Sequence, residues 1–208
     1  MKVVAINGSP RKGGNTSQCL DVMAKEFERE GIEFEVLQPG ANVKPCMACY
    51  HCLDNGTLRC VQTGDMVNEI IEKAKEADGF IFGTPVYYAH PSGRILSLLD
   101  RLFYAGGATF AYKPGAAVAS ARRSGTTASF DVLNKYFTIS KMPVVSSLYW
   151  NNIHGNHAEE ALQDEEGLQT MNLLGQNMAW LLKCIEAGKK AGIDHPVPEA
   201  KIKTNFIR

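Results

Sequence analysis

The chain predicts an α/β fold, a doubly wound sheet of five parallel strands in the order 2-1-3-4-5 with helices on both faces. Three observations predict it. Short apolar runs alternate with segments of helical periodicity, the signature of successive βαβ units. The runs end at Gly, Pro or Gly-rich loops, so they read as buried strands. No repeat, low-complexity tract or flexible linker divides the 208 residues, so residues 1–190 read as one domain and 191–208 as a polar, Pro-containing tail.

The elements follow in order. "KVVAI" (2–6) is the first strand, ended by Asn7-Gly8. From Thr16, residues Cys19, Leu20, Met23 and Phe27 recur at helical intervals and Gly31 marks the stop. "EFEVL" (33–37) is the second strand, and a cysteine-rich loop occupies 45–64. Asp65 is placed to cap a helix carrying Val67, Ile70, Ile71 and Ala74. "GFIFG" (79–83) is the third strand, stopping at Thr84-Pro85. Ile95, Leu98, Leu99 and Leu102 mark the next helix. "GAAVAS" (115–120) is the fourth strand, Phe130, Leu133 and Phe137 the fourth helix, and "PVVSSLYW" (143–150) the fifth strand. A last helix runs from Leu168 to near Gly188.

Composition narrows the function. Lys plus Arg equals Asp plus Glu, 22 against 22, so neither nucleic acid nor an anionic membrane is expected as the main partner. No apolar run reaches membrane-spanning length, and residues 1–20 lack a signal-peptide layout. A cytoplasmic location is expected, where thiols stay reduced and clustered cysteines hold metal or do redox work. Cys19 and Cys184 lie in amphipathic helices and read as core.

In doubly wound sheets, ligands bind beyond the carboxyl ends of the strands. The first such loop, "NGSPRKGGNTS", offers a helix N-terminus, the hydroxyls and amides of Ser9, Asn15, Thr16 and Ser17, and the cations Arg11 and Lys12. That set suits a phosphate monoester. It lacks the Lys-Ser/Thr of a Walker loop and the dinucleotide fingerprint. In the second loop, Thr84, Pro85, Val86, Tyr87 and Tyr88 supply a stiffened turn and flat apolar surface for a ring. In the third, Ser120 and Gly125 supply polar contacts on the opposite side. A phosphate in one loop and a planar ring between two others describe FMN.

Cys46, Cys49, Cys52 and Cys60 are spaced C-x2-C-x2-C-x7-C. Three thiols at spacing three can wrap one side of a small inorganic cube, and the loop through Gly56 can return the fourth. The residues leave three readings open: an iron–sulfur cluster of the 4Fe-4S type, zinc, or thiols without metal. His154 and His157 read as solvated or core residues, with Gly155 interrupting the pair. Asp100 and Arg101 read as an ion pair, and the aromatic, Gly-rich stretch 103–112 as a subunit contact.

"GSPRKGGNT", the cysteine spacing, "GTPVYY" and "LDR" (99–101), in that order, resemble the NADPH-dependent FMN reductase-like flavoproteins. More narrowly they resemble the iron–sulfur flavoproteins within them, over nearly all of residues 1–190. The resemblance implies a flavodoxin-like fold, FMN, and a homodimer or homotetramer. Ser9, Arg11, Asn15 and Thr16 would hold the phosphate, and Pro85, Val86 and Tyr87 would flank the ring, with Ser120 near the third loop. The activity expected is electron transfer between a small-molecule or protein donor, NAD(P)H or ferredoxin, and an acceptor, through FMN and a cluster. Hydride transfer to a flavin demands no acid–base side chain, and no catalytic residue is assigned. Two alternatives stand beside it: an FMN-only quinone, azo or nitro compound reductase with structural cysteines, and a flavodoxin-like carrier without a small substrate.

Overall fold

The computed structural model describes residues 1–204 and residue 206; positions 205, 207 and 208 of the predicted tail lie outside the described residues. In chain order the elements are β1 (Lys2–Asn7), α1 (Asn15–Arg29), β2 (Glu33–Leu37), α2 (His51–Asp54), α3 (Val67–Glu76), β3 (Gly79–Tyr87), β4 (His90–Pro91), α4 (Gly93–Gly106), β5 (Gly115–Ala121), α5 (Thr126–Ile139), β6 (Asn152–His154), α6 (Ala158–Ala161) and α7 (Glu165–Lys190). A single 3-10 turn, Gly107–Thr109, follows α4.

The sheet runs β2-β1-β3-β5-β6, and the two residues of β4 add antiparallel to the end of β3. The four pairings among the other five strands are all parallel. Counted among themselves they stand in the order 2-1-3-4-5, the flavodoxin-like arrangement. β1 and β5 are apolar almost throughout because helices cover both faces, so both sides of each strand are buried. On one face α3, α4 and α5 pack Ile70, Ile71, Leu98, Leu102, Leu133 and Phe137 against the sheet. On the other, α1 and α7 contribute Leu20, Met23, Phe27, Met171, Leu174 and Met178. Cys19 joins this second core, and burial pushes its thiol up. Cys184, expected in the core, is exposed on α7.

Two further expectations shift. β3 does not stop at Thr84-Pro85; it continues to Tyr87 and turns back through Tyr88 and Ala89, both at positive φ (52° and 58°). Such a two-residue turn matches the twist of a hairpin, and Pro85 is tolerated because it sits where the β5 pairing ends, opposite Ser120. The fifth strand is displaced from 143–150. Val144 makes one bridge to Gly115, the chain then leaves the sheet, and pairing resumes at Asn152–His154. Asn151 fills the gap, its side-chain amide donating to the Ala117 carbonyl at 3.0 Å. In stretch 103–112 Ala105, Gly106 and Phe110 are buried and Phe110 stacks on Phe103 at 4.8 Å, while Tyr104 and Ala108 are exposed. Among the described residues no helix is long and apolar enough to cross a membrane.

Candidate functional site

The strand order reverses between β1 and β3, and the loops leaving β1, β3 and β5 open a crevice of about 350 Å³ there. Its lining is Ser9, residues 11–16, 85–87 and 120–122, and the segment 155–159 after β6. The first loop is tightly placed. The Gly8 N–H donates to the Gly83 carbonyl at 2.8 Å, and a Cβ at Gly8 would lie 2.7 Å from Ile95 Cβ. Asn7 accepts from the Ser9 N–H at 3.0 Å and donates to Ser17 Oγ at 3.0 Å, stapling the loop to the first turn of α1. Gln38 donates to the Ser9 and Arg11 carbonyls at 2.9 and 3.0 Å. Gly14 caps α1 without any side-chain bond, so the helix's first N–H groups stay free for an anion.

The sequence-predicted residues divide by position. Ser9, Arg11, Lys12, Asn15, Thr16, Pro85, Val86, Tyr87 and Ser120 all line the crevice. Thr16 Oγ1 in the first turn of α1 and Ser120 Oγ at the end of β5, far apart in sequence, meet at 2.8 Å in a buried contact. The Asn15 side-chain amide donates to the Gly155 carbonyl and ties the phosphate loop to the segment after β6. Four residues stand outside the lining. Ser17 is occupied by Asn7. Thr84 is buried, donating to the Pro85 carbonyl at 2.9 Å and accepting from the Ser92 N–H at 3.0 Å, so it braces the start of α4. Tyr88 is fully exposed at the hairpin tip. Gly125, at φ 89°, supports that hairpin from beneath: a Cβ there would lie 2.5 Å from Ala89 Cα.

Arg122 and the segment 155–159 also line the crevice, and neither was selected from sequence. Two arginines directly after an apolar strand are a readable signal of an anion at the strand end. His157 was set aside because Gly155 breaks the histidine pair. In the fold it caps α6 and contacts Glu159 at 2.9 Å and Glu160 at 3.2 Å. Helix N–H groups, the Ser9 and Thr16 hydroxyls and three cations fit a phosphate monoester, and the flat wall of residues 85–87 fits a ring. The residues present therefore fit FMN.

Cys46, Cys49, Cys52 and Cys60 line a second cavity of about 340 Å³, walled by Asp100, Arg101, Tyr104 and Ala105 of α4. The cysteine segment is mostly irregular, and Ala48, Tyr50 and Leu58 hold positive φ (51°, 56° and 49°). For residues with a Cβ this conformation is strained, and it is found where a site over-determines the backbone. All four cysteines border one space. Burial pushes the Cys52 thiol up. Among the described residues, no group of three or more His, Cys, Asp or Glu is placed to hold a metal ion. Four thiols, the donor type an iron–sulfur cluster takes, nevertheless border one cavity with a buried guanidinium beside them. Arg101 does not pair with Asp100 as expected. It pairs with Asp65, while Asp100 accepts from the Tyr136 hydroxyl at 2.5 Å.

The family model for NADPH-dependent FMN reductase matches residues 1–157. An iron–sulfur flavoprotein of Methanocaldococcus jannaschii is 33% identical over 195 residues, covering 89% of this chain and 100% of its own. One from Methanosarcina thermophila is 32% identical over 195 residues, covering 91% and 99%. Among solved structures, RosB with bound 8-demethyl-8-formylriboflavin 5'-phosphate matches at a TM-score of 0.69 and 16% identity, over 100% of this chain and 94% of that one. A flavodoxin from the Archaea matches at 0.59 and 17%, over 88% and 99%. The structural likenesses show the flavodoxin-like fold; the sequence matches show more. The chain belongs to the NADPH-dependent FMN reductase family, among its iron–sulfur flavoproteins, and is an FMN-dependent oxidoreductase.

Proposed function

We propose that the chain passes electrons between a reduced donor, NAD(P)H or a ferredoxin, and an acceptor, using FMN in the crevice and a 4Fe-4S cluster held by Cys46, Cys49, Cys52 and Cys60. The observation that carries this reading is the pairing of two chemically distinct cavities in one domain, one walled by phosphate donors and a flat apolar face, the other by four thiols. Bound FMN supplies the exchange between two-electron hydride chemistry and single-electron transfer, which a cluster complements with one-electron steps. The chain's own residues bind and orient. Arg11, Lys12 and Arg122 neutralise the phosphate, and the Thr16–Ser120 contact joins two walls. Pro85 to Tyr87 fix the plane of the ring. No side chain is required to move a proton. Tyr87 is half-exposed and Tyr88 wholly so, which supports a homodimer or homotetramer in which a second copy covers the ring's open side.

The test is an anaerobic preparation assayed for iron, acid-labile sulfide and zinc per FMN, followed by NAD(P)H oxidation with a quinone, free flavin or ferredoxin. The expected result is about four iron and four sulfide per chain, with turnover for at least one acceptor. A second reading, FMN alone with structural cysteines, draws on the absence, among the described residues, of a metal-ready group of side chains. Flavin with turnover but without iron would establish it.

A further inference from the structure

The fourth cysteine is held in a way the other three are not. Cys46 and Cys49 are exposed and Cys52 is half-buried, whereas Cys60 is buried. The Cys60 N–H donates to Asn68 Oδ1 at 2.8 Å, and Asn68 Nδ2 donates back to the Cys60 carbonyl at 2.9 Å. Its sulfur accepts a hydrogen bond from Arg101 Nε at 3.2 Å. Both clasping residues come from regular helices, Asn68 from α3 and Arg101 from α4, so this sulfur takes its position from the packed core.

Arg101 is only 1% exposed, and all three of its nitrogens are engaged. Besides the sulfur, Nη1 donates to the Lys44 carbonyl at 3.2 Å and to Asp65, and Nη2 to the Gln62 carbonyl at 2.9 Å. Lys44 precedes the first cysteine and Gln62 follows the last, so one guanidinium draws together both ends of the cysteine loop. Asp65 alone would satisfy a buried arginine's charge. The Nε aimed at sulfur is a further contact, and a cationic N–H donor suits a thiolate best.

We propose that Arg101 is the positioning residue of the cysteine site: with Asn68 it fixes the Cys60 sulfur as the ligand set in place before the other three close, and its charged N–H raises the reduction potential of the bound cluster. The proposal rests on the cluster reading above. One-electron reduction adds a negative charge and breaks no bond, so a buried cation and an N–H···S bond at one ligand stabilise the reduced state more than the oxidised one. Lysine at this position keeps the charge but offers no fork to reach Lys44, Gln62 and the sulfur together.

Wild type, Arg101→Lys, Arg101→Gln and the pair Arg101→Gln with Asp65→Asn are compared anaerobically. The pair guards against misfolding, because Arg101→Gln alone leaves Asp65 buried without its cation. Iron and sulfide per FMN are assayed, and the cluster midpoint is found by a redox titration followed by EPR. The Gln variants are expected to lose iron faster to a chelator and to titrate at a more negative midpoint. The shift expected is at least tenfold in the one-electron equilibrium, about 59 mV, with Arg101→Lys lying between them and wild type. Wild-type iron retention and an unchanged midpoint in the Gln pair overturn the proposal. A second measurement needs no cluster: on the chelated, FMN-bound chain, Cys60→Ala is made alone and in the Gln-pair background, and denaturant midpoints are compared. Non-additive shifts support the contact, and additive shifts overturn it. Wild type without iron or sulfide overturns the cluster reading and the potential-setting role together, and the cycle then decides whether Arg101 holds Cys60.

Discussion

Asp65 is expected to cap α3, but the N-cap position falls to Met66 and Asp65 stands one residue before it. One oxygen accepts from the Val67 N–H at 3.3 Å, while the other meets Arg101 and the Lys44 N–H. Burial pushes its carboxyl up, but Arg101 and the two N–H groups outweigh that and hold it below the usual value. A carboxyl depressed in the folded state stabilises it above the unfolded pKa, about 3.9, and loses that contribution as pH falls through the folded value. Asp65→Asn should therefore cost roughly 3–5 kcal/mol at pH 7. Urea melts at successive pH values should show the gap to wild type narrowing below about pH 4. In the crevice, Thr16→Val removes a hydroxyl from the buried contact with Ser120. FMN affinity, read by flavin fluorescence titration, should fall about fivefold, for roughly 1 kcal/mol. Thr16 and Ser120 are legible as candidates because one opens the helix after the first Gly-rich loop and the other closes an apolar strand. Arg101 was misread for a geometric reason: neighbours in sequence point apart on a helix, so Asp100 and Arg101 face different partners, and the true partner lies 36 residues away.

The elements themselves are legible where the pattern is unbroken, in the two-sided burial of β1 and β5 and the single buried stripe of α7. What escaped were places where a side chain replaces the ladder. Asn151 substitutes its amide for a strand N–H, and Ser147 donates to the Thr170 carbonyl of α7 at 2.6 Å; both interrupt the fifth strand in ways that hydrophobic spacing does not reveal. The β3–β4 hairpin escaped because Pro85 reads as an end, although a proline at the limit of pairing breaks no bond. Gly125 matters at this scale. Gly125→Ala would place a methyl 2.5 Å from Ala89 Cα at a left-handed φ of 89°. It should push the hairpin outward, destabilising the protein by about 1–3 kcal/mol. FMN binding should weaken as well, although Gly125 does not line the crevice; a thermal melt and a flavin titration together check both.

At the scale of the whole molecule, the two cavities share no lining residue. Chelating iron from the cysteine site should accordingly leave the FMN-to-protein ratio unchanged, which absorbance at the flavin bands will show; loss of flavin in step with iron would mean the sites are structurally coupled. The loop between them and the core is gathered at its base. Lys44, Gln62 and Asp65 all meet Arg101, so the chain that leaves at one end returns to the same point at the other. For a loop fixed in this way, added length is cheap, about 0.6 kcal/mol for each doubling. The exposed turn around Asn55 and Gly56 should take several inserted Gly-Ser residues with little change in melting temperature or flavin content. The interval between Cys52 and Cys60 is thus free to drift over evolutionary time, and a search for related chains that fixes it at seven residues would pass over proteins built on the same clasp.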